Sequence, residues 1–250
     1  MSETLAAVRA EFTKVRCVRT TYLALLLFVP LSLLVAALDG ASARSAIDSH
    51  NPLLRAGFTP QQAGLDGILY GQLALIVFGV LVVSSEYGSG MVRVSLLAVP
   101  RRGRLFAVKS LVAAAVTAAV AIPVTVLGYL ATQAALGPHG ASIGDAGVPL
   151  ALGGAVGYLT LMSLFALGVA ATARSAVLPL AVLLPMVLAG SHILTVIGAT
   201  RQLAQYFPDQ AGLQMLTVGS HRAVTGFAVL LAWTAAALAC GFLRQWRWDG

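Results

Sequence analysis

Ser84-Ser85-Glu86-Tyr87-Gly88-Ser89-Gly90-Met91-Val92-Arg93-Val94-Ser95-Leu96-Leu97-Ala98-Val99-Pro100-Arg101-Arg102-Gly103-Arg104-Leu105-Phe106-Ala107-Val108-Lys109 lies between two long apolar runs. It holds five of the sixteen lysines and arginines of the chain: Arg93, Arg101, Arg102, Arg104 and Lys109. A charge at the centre of a bilayer costs at least about 2.5–3.5 kcal/mol. The runs on either side can dissolve in lipid, and this stretch cannot. It belongs at a membrane surface, and its arginines assign that surface to the cytoplasm, where basic loop residues accumulate.

The composition agrees. Of 250 residues, 58% are hydrophobic and 10% charged, against about 25% charged in an ordinary soluble domain. The expected class is an all-α membrane protein. The net charge of +7 does not call for nucleic acid, because the basic residues gather where apolar runs end, which suits anionic lipid headgroups. Cys17 and Cys240 are far apart, without metal-ligand spacing, and are expected as reduced thiols. The first apolar run, Tyr22 to Leu38, exceeds the 7–15 residue core of a signal peptide and reads as a retained span.

Six stretches approach the roughly 20 residues needed to cross a bilayer: 21–38, 66–85, 105–134, 149–172, 176–198 and 223–243. With the N-terminus inside, the cytoplasmic segments hold Arg9, Lys14, Arg16, Arg19, Arg93, Arg101, Arg102, Arg104, Lys109, Arg174, Arg244 and Arg247. The opposite side keeps Arg44, Arg55, Arg201 and Arg222. Twelve against four places both termini in the cytoplasm. One transmembrane domain then fills 1–250, with an amphipathic surface helix at 1–20, an elbow at 86–104 and an outer segment at 199–222. That last segment is too apolar for an ordinary loop and could dip into the outer leaflet, broken at Pro208. The loop from Asp39 to about Leu65 is polar and Gly/Pro-punctuated. Gly67 and Gly71, and Gly153 and Gly157, have the spacing that lets helix backbones approach closely. Pro123, Pro179 and Pro185 should kink their spans.

At the N-terminus, Leu5, Val8, Phe12 and Val15 recur at helical spacing, with Arg9, Glu11, Lys14 and Arg16 on other faces. Phe12, Lys14 and Arg16 mark this helix as one lying on the cytoplasmic surface, either bracing a partner or anchoring the first span. In the elbow, Glu86 and Tyr87 end the second span, and Gly88 and Gly90 permit a sharp change of direction. Met91 to Val99 is a short apolar segment stopped by Pro100. Val92 to Leu96 alternates like a strand, but helical neighbours favour a short helix. Met91, Arg93, Val94 and Leu97, flanked by Arg101 and Arg102, present an apolar patch between basic edges that suits a docked partner. The arginines alone would also suit lipid.

Chemistry inside the membrane is sparse. The spans lack the carboxylate relay that an ion-coupled transporter needs. His50, His139, His192 and His221 are scattered, without metal spacing or an adjacent nucleophile. Gly103 and Lys109-Ser110 mimic the ends of a phosphate-binding loop, but Val108 stands where its second glycine must be. No catalytic or metal site is expected in this chain, and ATP, if used, must be hydrolysed elsewhere.

Glu86-Tyr87-Gly88-x-Gly90 followed by Arg93, Pro100-Arg101-Arg102 and Lys109 resembles the signature of ABC type-2 exporter permeases, in the bacterial drug- and peptide-export branch. Glu11-Phe12-Thr13-Lys14-Val15-Arg16 with Arg19-Thr20 is similar to that group's lead-in to the first span. Tyr206-Phe207-Pro208 with Ala211-Gly212 resembles its outer segment, and Arg244-Gln245-Trp246-Arg247-Trp248-Asp249 its ending. Ser89 departs from the pattern, which often carries a basic residue there. The resemblance implies a half-transporter in the bacterial cytoplasmic membrane: two permease chains, a homodimer ahead of a heterodimer, above two ATPase subunits that bind ATP and Mg. Met91 to Val99 would be the coupling helix, and Glu86 would close the second span, pairing with a base such as Lys109. The cargo would be hydrophobic or amphiphilic: a drug or antibiotic, a lipid or a peptide. The competing expectations are a non-transporting immunity or sensor protein that binds a peptide outside, and an ion-coupled transporter.

Overall fold

The computed structural model describes residues 3–50, 58–89, 102–197 and 201–246, and contains no strand among them. Gly90, Met91, Arg93, Val94, Leu97, Pro100 and Arg101 of the expected elbow lie outside the described residues. Helix α1 (Glu3–Cys17) passes through a single extended residue, Val18, into α2 (Arg19–Asp48). A short α3 (Pro60–Asp66) precedes α4 (Ile68–Ser89). Then come α5 (Arg102–Leu136) and α6 (Val148–Ala173). Next are α7 (Val177–Pro185), a π turn at Met186–Gly190 and α8 (Ser191–Val196). The chain closes with α9 (Arg201–Ala204), α10 (Pro208–Leu216) and α11 (Ala223–Trp246).

Among the described residues, five stretches are long and apolar enough to cross a membrane: Arg19–Asp48, Pro60–Tyr87, Gly103–His139, Val148–Ala173 and Ala223–Trp246. Burial sorts them. The apolar window of the stretch ending in α4 is 72% buried, whereas those of α2 and α11 are 28% buried. The exposed side of α2 carries Leu23, Leu26, Leu27, Leu34 and Leu38, and that of α11 carries Val224, Phe227 and Leu231. Such a surface suits lipid. Helix α6 is the hub, packed against α4, α5, α10 and α11, while α2 packs on α4 and α5.

Close approach rather than bulk hydrophobicity builds these seams, as expected where surrounding lipid is as apolar as leucine. A Cβ on Gly71 would meet Ser32 Oγ at 2.0 Å, and one on Gly67 would meet Ala36 Cα at 3.1 Å. The first glycine pair therefore does mark a contact, between α2 and α4. The second does not behave alike. A Cβ on Gly153 would meet open space and one on Gly157 only the Met215 methyl at 3.3 Å, whereas one on Gly154 would come within 2.2 Å of the Met215 carbonyl. Hydrogen bonds cross two other seams, α5 to α2 and α11 to α6. Thr132 donates to the Ala36 carbonyl at 2.9 Å, and Thr234 to the Leu161 carbonyl at 3.2 Å.

Several expected boundaries move. Helix α2 runs ten residues beyond 38, to Asp48, because Ala41, Ala43, Arg44 and Ala46 are good helix formers and Gly40 sits on the Thr132 backbone of α5. Its 30 residues and the 35 of α5 span about 45 and 52 Å at 1.5 Å per residue, well beyond the ~30 Å hydrocarbon core. The expected span at 176–198 is interrupted: Pro185 cannot donate to the preceding turn, and the Ser191 N–H reaches Met186 O across a π turn. Segment 201–222 is no loop. Helix α10 buries Pro208, Ala211, Gly212, Met215 and Leu216 against α6 and α11, so protein covers its backbone.

Candidate functional site

At the end of the bundle where α1, the last turn of α4 and the start of α5 converge, four charged side chains close into a ring. Glu11 and Lys14 stand three residues apart on one face of α1, a spacing at which helix side chains meet. Lys14 Nζ donates to Glu11 Oε1 at 2.6 Å and to Glu86 Oε1 at 2.7 Å. Across the ring, Lys109 Nζ donates to Glu11 Oε2 at 2.6 Å and to Glu86 Oε1 at 2.8 Å. Glu11, Glu86 and Lys109 are 3%, 5% and 3% exposed, and only Lys14 reaches toward solvent. Two carboxylates and two ammoniums cancel. The cavity beside them, walled by Val15, Thr21 and Val82, is about 20 Å³, room for roughly one water.

Burying four ions is affordable only because each has partners of opposite sign at hydrogen-bond distance. An unpaired ion left in such a place destabilises by about 3–5 kcal/mol. For Lys14, burial alone would pull the ammonium pKa down. Its hydrogen bonds to Glu11 and Glu86, and their negative charge, outweigh burial and raise it above 10.5.

A second set of contacts holds the same end. Arg174, the residue after α6, adopts a left-handed conformation with φ 54°, a helix-ending geometry usually left to glycine. Its Nη2 donates to the Arg244 carbonyl of α11 at 2.9 Å, and its side chain is hydrogen-bonded to that of Tyr87 on α4. Arg104 of α5 donates to Thr4 of α1. Gly103 lies under Phe242, where a Cβ would come within 2.8 Å of the ring. Phe242 stands between Phe106 and Trp246, with centroids 6.4 and 5.8 Å away.

Of the residues singled out from the sequence, the structure therefore brings Glu86, Lys14 and Lys109 together and joins Tyr87 to Arg174. Phe12 and Arg16 stand apart. Phe12 is 47% exposed and carries the Arg16 guanidinium 5.9 Å from its ring centroid. Gly88 is part of α4, which continues to Ser89, so the sharp change of direction expected there does not occur at Gly88. Its φ/ψ freedom is not needed inside a helix. Arg102 is the first residue of α5.

The face of α1 also differs from the expected one. Ala7, Glu11 and Val15 are buried, while Leu5 and Phe12 of the apolar stripe are exposed. Glu11 reads in sequence as a solvated side chain on the polar face of α1, because nothing local announces Lys109 opposite it. One signal was available: acids are scarce in this chain, nine in 250 residues, and one on a basic helix needs a reason. Arg174 offered none beyond its place between two apolar runs.

No protein-family model matches the chain, and no curated protein matches it. What the ring can do follows from its geometry. It ties both helices that flank residues 90–101 to the N-terminal helix, so that a displacement of any one is felt by the other two.

Proposed function

We propose that this chain is the permease subunit of an ATP-driven exporter of the ABC type-2 kind, moving a hydrophobic or amphiphilic cargo out across a bacterial cytoplasmic membrane. The observation that carries the reading is the Glu11–Lys14–Glu86–Lys109 ring. A chain that hands force to a separate motor needs its contact segment mounted on a stiff base, and the ring supplies one on both sides of 90–101. In this reading the two termini and the elbow are cytoplasmic, and 177–196 completes a sixth, kinked crossing. Two such chains stand over two ATPase subunits, which hold ATP and Mg. Met91 to Val99 docks in the ATPase. Its movement on nucleotide turnover is passed through Glu86 to α4, through Lys109 to α5 and through both to α1.

The test is co-purification of the permease with an ABC ATPase subunit from the same cells. Introducing Val94→Asp and Leu97→Asp together places two charges in the docking patch. The permease should still insert in the membrane but lose the ATPase and all export. An assembly that survives both substitutions with transport intact would reject the assignment of this segment as the coupling element.

A further inference from the structure

We infer that the pocket between α4, α6, the π turn and α10 is a binding site for the protonated amine of an amphiphile, and that this is the cargo class of the exporter. As a cargo site it rests on the reading given under Proposed function. The pocket has a volume of about 240 Å³. Its polar groups are Gln72, Tyr158 and Asp209, and its apolar wall includes Leu73, Val187 and Leu213. Tyr70 and Leu188, also lining it, are both exposed on the bundle surface and mark its opening.

Asp209 is the reason to expect a cation. It is 2% exposed and stands in the first turn of α10. Its Oδ2 accepts from Ser191 Oγ, and from Gln210 Nε2 at 3.1 Å. Its Oδ1 is buried with no hydrogen-bond partner among the described residues. Both donors to this carboxylate among the described residues are neutral, and none of the described residues lining the pocket is a lysine or arginine. A buried carboxylate oxygen left bare costs far more than one that is matched, so a ligand bringing a positive N–H donor gains that difference on binding.

The rest of the pocket limits the ligand further. Its volume falls below the roughly 300–1,000 Å³ typical for a whole drug-sized molecule. It fits a head group and the first part of an apolar body, which would continue past Tyr70 and Leu188. A hard metal cation would want about six oxygen ligands, and Gln72 Oε1 already accepts the Tyr158 hydroxyl. A phosphatidylethanolamine headgroup carries the same ammonium, but its phosphate would find no cation on this lining. The free amphiphilic amine is left. The π turn belongs to the device, since it sets Ser191 against Asp209 and shapes the Val187–Leu188 wall.

The test uses the full chain, purified alone in phosphatidylcholine nanodiscs, titrated with decylamine and with decan-1-ol at neutral pH, empty discs being subtracted. Decylamine should bind saturably, one per chain, at least about tenfold tighter than the alcohol. Asp209→Asn should lower the affinity for the amine by about tenfold or more and leave that for decan-1-ol unchanged. Leu188→Trp, which keeps the carboxylate and obstructs the opening, should abolish saturable binding, and it decides the matter if the Asn variant does not fold. Equal affinity for amine and alcohol, an amine preference that survives Asp209→Asn, or unaltered binding to Leu188→Trp would each overturn the proposal. So would displacement of decylamine by sodium chloride or by phosphatidylethanolamine in the disc, which would reassign the site to an alkali cation or a lipid. No ATPase enters this assay, so its failure leaves the coupling assignment standing, and loss of ATPase association leaves this one standing.

Discussion

Replacing Lys109 by methionine would leave Glu11 and Glu86 facing each other across a gap too small to hydrate them, with Lys14 alone to share. The expected cost is about 3–5 kcal/mol, read as a lowered unfolding midpoint in detergent. Glu86→Gln should be comparably severe. The double variant Glu86→Gln, Lys109→Met should be milder than the two losses summed, because each removal relieves the charge that the other strands. Additive losses would mean that the ring is not a coupled unit. Lys14 gives a pH signature. Its folded pKa lies above 10.5, so its contribution is complete below about pH 10.5 and disappears as pH climbs through the folded value. The stability gap between wild type and Lys14→Met should thus be flat from neutral pH to about pH 10 and close above it. At this scale the sequence was partly legible. The pairing of Glu86 with Lys109 was legible only through the resemblance to a known permease signature, because nothing local links the end of one apolar run to a lysine inside the next. Glu11 could not be placed, because its burial depends on α5 lying across α1, and Asp209 could not, because its neighbours Ser191 and Tyr158 come from distant helices.

Among the helices, hydropathy finds the crossings and misses their ends. Apolar runs must be buried or in lipid whatever the fold, so α4, α5, α6 and α11 were readable to within a few residues. The extension of α2 past Leu38 was not, since the polar, Gly-punctuated composition there reads as loop and the support Gly40 finds on Thr132 is remote in sequence. Glycines show the same division. Gly79 and Gly153 look alike in sequence, yet a Cβ on Gly79 would come within 2.2 Å of the Ser163 carbonyl, whereas one on Gly153 meets nothing within 4 Å. Gly79→Ala should force α4 away from α6 and cost about 1–3 kcal/mol. Gly153→Ala should be neutral or gain up to about 1 kcal/mol through helix propensity. Thermal unfolding of the two variants checks the pair, and a harmless Gly79→Ala would remove α4–α6 contact as an organising seam.

Taken whole, the bundle gathers most of the lysines and arginines among its described residues at one end, where the ring and Arg174 lie, and the orientation proposed from that asymmetry can be measured. Cys17 is exposed there. In intact cells an impermeant maleimide should leave Cys17 unlabelled and should label Ser142→Cys in a cysteine-free background; the reverse pattern would invert the protein in its membrane. The overlong α2 and α5 carry a last implication. Asp48, at the tip of α2, pairs with Arg44 at 3.6 Å and with His139, just past α5, at 3.0 Å. These groups resist immersion at one end, as the exposed Arg9, Arg16 and Arg19 do at the other. The protein should consequently keep a constant depth when the acyl chains around it are lengthened or shortened, leaving the lipid annulus to stretch or thin. A spin label at Ser45 would report that waterline directly.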